Sequence, residues 1–174
     1  VDTSQLRAAK DAAGIEPCPR AQADSNGQSH GLPEITLPCL GGGRSVDLAG
    51  LDGPAVINFW SQTCGPCRAE SPRFQQLHEA AGDKLLVLGV DWHDPRPGYA
   101  IRFAKQLGLT YPQLADPDGA TRAPMHISGL PITVFVDDSG AITYTHYGAV
   151  DSVADLTDLV AEHLGLHVPT GAHG

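Results

Sequence analysis

No apolar run in this 174-residue chain is longer than Leu85-Leu86-Val87-Leu88-Gly89-Val90, far short of the roughly 18 residues that a membrane-spanning helix requires. Basic residues are also few. Eleven Lys and Arg stand against twenty Asp and Glu, for a formal charge of −9, and they nowhere cluster. Nucleic acid and anionic membrane surfaces are therefore not expected partners, and the acidic excess reads as solubility. The chain opens at Val1 with no charged leader and no apolar signal core, so any export signal or N-terminal anchor is expected to lie outside this sequence. There are only four cysteines and one close-spaced pair; a four-cysteine zinc site would need a second such pair, and no metal is expected. Gly41-Gly42-Gly43 lacks the following Lys-Ser/Thr and the strand-to-helix switch of a phosphate cradle, which excludes that reading.

What the chain does have is Trp60-Ser-Gln-Thr-Cys64-Gly-Pro-Cys67-Arg-Ala-Glu70. It follows the apolar run Ala55–Phe59 and leads into a helical pattern, so both cysteines fall where a strand ends and a helix begins. Unpaired N–H groups and the positive end of the helix dipole favour a thiolate there, and the thiolate is the nucleophile of thiol–disulfide exchange. Cys64 is the expected exposed attacker and Cys67, one turn in, its shielded resolving partner. A lone CxxC also fits half a zinc site or two inert cysteines; the preceding Trp, the Gly-Pro between the cysteines and the strand–helix setting favour redox chemistry. The remaining cysteines, Cys18 and Cys39, are then left for each other. Their bridge would be structural, closing a loop of about twenty residues for roughly 3 kcal/mol, and would persist only in an oxidising compartment. The alternative is two buried free thiols.

The rest of the pattern is that of one α/β domain. Residues 3 to 13 read as a short helix stopped by Gly14, an appendage in an N-terminal extension over 1–31 whose loop from Pro17 to Pro33 is held only at Cys18. A domain over 32–165 follows. It begins with a hairpin (35–37 and 45–48), then strand 54–60, helix 65–81, strand 84–90 and helix 98–107, a βαβ unit whose right-handed crossover makes the two strands parallel and central. Tyr111–Leu114 is a brief extended piece, Asp116–Gly119 a turn before a short helical stretch limited by Pro124, and 132–136 with 141–147 an antiparallel hairpin. A helix over 151–164 carries Val153, Leu156, Val160 and Leu164 on one face. Residues 166–174 are expected to be a disordered tail.

Glu70 follows Cys67 by three residues and so shares its helical face with Phe74, Leu77 and Ala81. A carboxyl among apolar side chains has a raised pKa, which suits it to take the proton from Cys67 as general base. The alternative is that Glu70 turns to solvent and only favours the first turns of the helix.

Trp60-x-x-x-Cys64-Gly65-Pro66-Cys67, Pro72 in the same helix, Gly129-Leu130-Pro131 before an apolar strand and Gly148 after the last strand resemble the thioredoxin superfamily. Asn58 before Phe59-Trp60, Glu70, the N-terminal hairpin and the extra strand–helix unit at 84–107 are similar to the TlpA/ResA group of exported thioredoxins. The resemblance covers residues 32–164. It implies a thioredoxin fold, a central mixed sheet flanked by helices with the N-terminal helix and hairpin added. Pro131 would be a cis-proline facing the disulfide, with the backbone of Leu130 pairing with extended substrate. Trp60 would form part of the site's floor and Gly148 part of a docking rim, with Thr63, Gly65 and Pro66 completing the substrate-binding surface; from the residues alone, Trp60, Pro131 and Gly148 also fit simple packing. There are departures. Ordinary thioredoxins have a buried aspartate at Asn58 and a second tryptophan at Thr63, and Met125 and His126 replace an aromatic and a glycine. His93 and Asp94, beyond the end of strand 84–90, are further candidates to reach the site.

The expected activity is extracytoplasmic thiol–disulfide exchange with no cofactor beyond the Cys64–Cys67 pair. By resemblance the partners are protein disulfides, including apocytochrome c, and a membrane-bound electron donor such as a transmembrane thiol–disulfide carrier, and the chain acts as a monomer. Gly-Pro between the cysteines matches the reducing thioredoxins, at about −270 mV, more than strong oxidants at about −120 mV. The alternatives are an exported oxidase that introduces disulfides, a thiol peroxidase and a non-catalytic binding module. Ile57 stands where the peroxidase pattern has proline, although Ser61 fits it.

Overall fold

A computed structural model describes residues 1–21 and 31–169. In chain order it contains α1 (Ser4–Ala13), β1 (Thr36–Leu37), β2 (Val46–Asp47), β3 (Ala55–Trp60), α2 (Gly65–Ala81), β4 (Leu86–Trp92), α3 (Pro97–Leu107), β5 (Gln113–Asp116), β6 (Ile132–Val136), β7 (Ile142–Tyr147) and α4 (Val153–Leu164). The main sheet has the order β5-β4-β3-β6-β7. β3 and β4 are parallel, as are β4 and β5, while β6 runs antiparallel to both its neighbours. This is the expected mixed thioredoxin-type sheet. The small hairpin β1–β2 forms beside it, also as expected.

Every residue of β3, β5 and β6 is buried, because both faces of the sheet are covered; β3 and β6 are accordingly apolar apart from Asn58 and Thr133. Alternate side chains divide the core in two. Val56, Trp60, Phe74, Phe103 and Leu156 pack on the side that holds the four helices. Ile57, Phe59, Leu88, Trp92 and Ile132 pack on the side of the hairpin and of the 117–130 connection. The right-handed crossovers β3–α2–β4 and β4–α3–β5 put α2 and α3 on the same face. Among the described residues no helix is long and apolar enough to cross a membrane.

Four expectations need correction. α1 is not an appendage: it lies along α3, with Leu6, Ala9 and Ala13 packed on the core and Ile15 inside it, and Glu16 N–H bonds the Thr110 carbonyl at 2.8 Å. β4 runs on to Trp92 rather than stopping at Val90, because pairing with β5 continues through Trp92–Asp116. The stretch before Pro124 forms turns, not a helix. The Asp116 carboxylate accepts hydrogen bonds from Ala120 N–H, Thr121 N–H and the Thr121 hydroxyl, a loop-closing arrangement that competes with helix. The tail expected to be disordered from 166 instead packs two partly buried apolar side chains, Leu166 and Val168, against the core. The remainder of that tail (170–174) and the 22–30 part of the N-terminal loop lie outside the described residues.

Candidate active site

Cys64 is the N-cap of α2, with Pro66 in the first turn, where its missing N–H leaves no bond unmade. Cys64 and Cys67 are joined in a disulfide with Cα atoms 5.3 Å apart. Their burial differs in the way exchange chemistry requires: Cys64 is half-buried, Gly65, Pro66 and Thr63 are exposed, and Cys67 is fully buried. The Cys67 N–H points at Cys64 Sγ at 3.2 Å, so once the bridge opens a donor and a helix N-terminus face the outer sulfur, an arrangement that favours a thiolate. The Ser71 hydroxyl donates to the Cys67 carbonyl at 2.6 Å just before Pro72, the one residue of α2's interior with no N–H to give.

Glu70 is wholly buried, not turned to solvent. Its Oε1 accepts from Asn58 Nδ2 at 2.8 Å and its Oε2 from Val150 N–H at 2.9 Å. α2 holds the same residue through its other backbone group, because Arg73 donates to the Val150 carbonyl at 2.6 Å. Burial pushes the Glu70 carboxyl up to about 7, against the lowering effect of these hydrogen bonds and of Arg73. One turn beyond Cys67, the chain thus carries a carboxyl balanced between its two protonation states at neutral pH. Asn58, which marks both the likeness to the TlpA/ResA group and the departure from ordinary thioredoxins, is its positioning partner.

Trp60, expected as part of the site's floor, is fully buried and lies in the same core cluster as Cys67. Its ring stacks on Phe103, with centroids 4.7 Å apart and planes at 15°, and the Arg68 guanidinium covers the other aromatic of the pair. The indole N–H donates to Gln113 Oε1 at 2.9 Å. Gln113 reaches it across β4 only because residue 89 is glycine; a Cβ there would overlap the Gln113 amide. Neither Gln113 nor Asp91 was legible as a site residue. Asp91 stands beside Trp60 in the β3–β4 register, wholly buried, with neither carboxyl oxygen hydrogen-bonded. Burial, and then the nearby Asp94, push its pKa up to about 8. An acid between Val90 and Trp92 in an apolar strand was the available signal.

The Leu130–Pro131 peptide is cis, and the Pro131 carbonyl accepts from Gly148 N–H at 3.0 Å, so two of the expected docking positions are joined. Gly148 has φ +97°, a backbone open mainly to glycine. Leu130 is half-buried and Met125 packs on the hairpin-side core, while His126 is exposed. His93 faces Arg122 at 3.3 Å and Asp94 accepts from Arg96 N–H; neither contacts the cysteines. Cys18 and Cys39 form the expected second disulfide, Cα atoms 5.9 Å apart.

Residues 29–145 match the AhpC/TSA family. The chain is 30% identical over 120 residues to the thioredoxin-like protein YneN of Bacillus subtilis, covering 68% of this chain and 70% of that one. It is 28% identical over 137 residues to the thiol:disulfide interchange protein DsbE of Pseudomonas fluorescens, covering 78% and 75%. A solved structure of a secreted Mycobacterium tuberculosis disulfide oxidoreductase, homologous to DsbE of E. coli, superposes with a TM-score of 0.65 at 28% identity, over 74% of this chain and 96% of that one.

Proposed function

This chain belongs to the AhpC/TSA family, has the thioredoxin fold and is a thiol–disulfide oxidoreductase with a Cys64–Cys67 pair; from that premise we propose that it reduces protein disulfides outside the cytoplasm. The observation that carries the exchange chemistry is the asymmetry of the pair: an accessible Cys64 at a helix start, a buried Cys67 behind it, and on Cys67's own helix a carboxyl held near neutrality; Gly65-Pro66 between the cysteines supports the reducing direction.

In the proposed cycle Cys64 thiolate attacks one sulfur of a substrate disulfide, and the other substrate sulfur leaves as a thiolate. Cys67 then loses its proton to Glu70 and attacks Cys64 Sγ. The bond to the substrate breaks, a second substrate thiolate leaves, and the Cys64–Cys67 disulfide forms. Two electrons have passed to the substrate, and a membrane-bound dithiol carrier returns them. Substrate docks along Leu130-Pro131 and Gly148, above Thr63, Gly65 and Pro66. Resemblance to the TlpA/ResA group and to DsbE supports oxidised apocytochrome c as one substrate. The Cys18–Cys39 bridge, and the secretion of the mycobacterial neighbour, support an extracytoplasmic site of action.

Trapping tests this. Cys67→Ser blocks resolution and should hold the substrate on Cys64 as a mixed disulfide, identifiable by mass spectrometry after expression in the exported compartment. If Cys67→Ser captures no more than the Cys64→Ser, Cys67→Ser double variant does, the reading is wrong.

A further inference from the structure

We propose that the Cys18–Cys39 disulfide is a second exchange site, at which a small anionic thiol attacks Cys18 while Lys10 holds Cys39 as the leaving thiolate. Nothing in this proposal depends on the role of Cys64 and Cys67.

The argument starts from Lys10. It is only 7% exposed, although a lysine on a surface helix ordinarily extends its ammonium to water. Its Nζ lies 2.9 Å from Cys39 Sγ and 3.2 Å from the Gly42 carbonyl, and among the described residues it joins no ion pair. Buried ammonium groups are normally paired, and a disulfide sulfur is only a weak acceptor. Asp11 and Asp2 act on Lys10 from a distance and raise its pKa, but among the described residues no carboxylate touches it, and the closer of the two atoms in contact with the ammonium is Cys39 Sγ. Burial lowers the Lys10 pKa, and a thiolate at Cys39 would relieve that cost. The chain makes room for the arrangement: a Cβ at Gly41, where φ is +77°, would crowd Lys10 Cβ at 2.9 Å and Ile101 at 3.0 Å.

The two sulfurs are not equivalent. Cys18 Sγ lies 3.2 Å from the Gln113 carbonyl oxygen, a dipole that opposes negative charge on Cys18, whereas Lys10 favours it on Cys39. Attack therefore falls on Cys18. The incoming thiolate bonds Cys18 Sγ, the Cys18–Cys39 bond breaks, and its electron pair stays on Cys39 beside Lys10. A second molecule of the thiol attacks the mixed disulfide at its own sulfur and releases Cys18, which takes a proton. The protein gains two electrons and the small thiol becomes a disulfide.

A cavity of about 530 Å³ opens beside this bridge, lined by Lys10, Cys18, Cys39, Gly42 and Arg44 among others. It admits a tripeptide-sized molecule but no folded protein, and both cysteines are otherwise buried, at 5% and 1%. Of the charges lining it, Arg7 is neutralised by Asp2 at 2.6 Å, which leaves Lys10 and Arg44 against Asp11 and favours a thiol carrying carboxylates.

The test uses the full chain with Cys64→Ser and Cys67→Ser, so that Cys18–Cys39 is the only disulfide, equilibrated with reduced and oxidised glutathione and read by alkylation and mass. The bridge should reduce with the fold retained by circular dichroism, and faster with glutathione than with the cationic thiol cysteamine. Adding Lys10→Met should lower the equilibrium constant for reduction about tenfold, the loss of one charge-assisted hydrogen bond, or about 30 mV for a two-electron couple. Lys10→Arg should retain most of it. In the reduced protein with Lys10 intact, Cys39 thiolate absorbance should rise well below the ordinary thiol pKa of about 8.5. Equal equilibrium constants with and without Lys10 would make the bridge purely structural. If Lys10→Met fails to fold, the Cys39 titration decides alone, and a value at or above the ordinary one overturns the proposal.

Discussion

Among the described residues, Glu70 and Asp91 are the carboxyls whose proton the fold holds more tightly than usual, one supported by two hydrogen bonds and one by none. If Glu70 takes the proton of Cys67, Glu70→Gln should lower reductase turnover at pH 7 about a hundredfold, the usual worth of a positioned general base. The limb of the pH–rate profile near 7 should vanish with it; unchanged turnover would remove Glu70 from the mechanism. Asp91 makes a claim about stability. Its pKa rises from 3.8 to about 8 on folding, so between those values the native chain binds this proton more tightly than the unfolded one. The corresponding stability is complete below about pH 4 and is lost as the pH rises through about 8, amounting to a few kcal/mol. Asp91→Asn should therefore match the parent Tm near pH 4 and exceed it near pH 9. A Tm difference that does not change with pH would contradict the assignment.

At the next level, the site depends on α2 standing over β3 and on β5 reaching back under it. β5 contributes Gln113, which binds the Trp60 indole through the gap at Gly89. Gly89→Ala should displace that amide, leave a buried indole N–H unpaired and cost about 1–3 kcal/mol, read by urea denaturation with a shift in tryptophan emission. A loss under about 0.5 kcal/mol would show that the contact is dispensable. The strand–helix junction that presents the cysteines was legible in the sequence, because a run of apolar residues, Gly-Pro and a 3.6-residue pattern are local signals. The Gln113–Trp60 contact was not, since its partners are 53 residues apart and only pairing of β4 with β5 brings them together. β4 was read as ending at Val90 for a related reason: apolar runs mark burial, and Asp91 is a buried residue of the wrong polarity.

Taken together, the chain is a parallel βαβ core and an antiparallel hairpin joined at β3, wrapped by an N-terminal segment that the sequence made look optional. Its alternation of strands and helices was readable, and so was the pairing of Cys18 with Cys39. The packing of α1 on α3 was not, because Leu6, Ala9 and Ala13 form a stripe too short to reveal what covers it. The Lys10–Cys39 contact arises from that packing and was equally hidden. The reducing direction of the proposed exchange rests on Gly-Pro between the cysteines, against the N–H and helix start that face the outer sulfur, which favour its thiolate and so draw the potential upward. The midpoint potential of the Cys64–Cys67 pair, measured against glutathione buffers with Cys18–Cys39 followed separately, decides it. A reductase should give a value more negative than about −200 mV, towards the thioredoxin value of about −270 mV; a value between about −180 and −120 mV would make the protein an oxidase and contradict the proposed function.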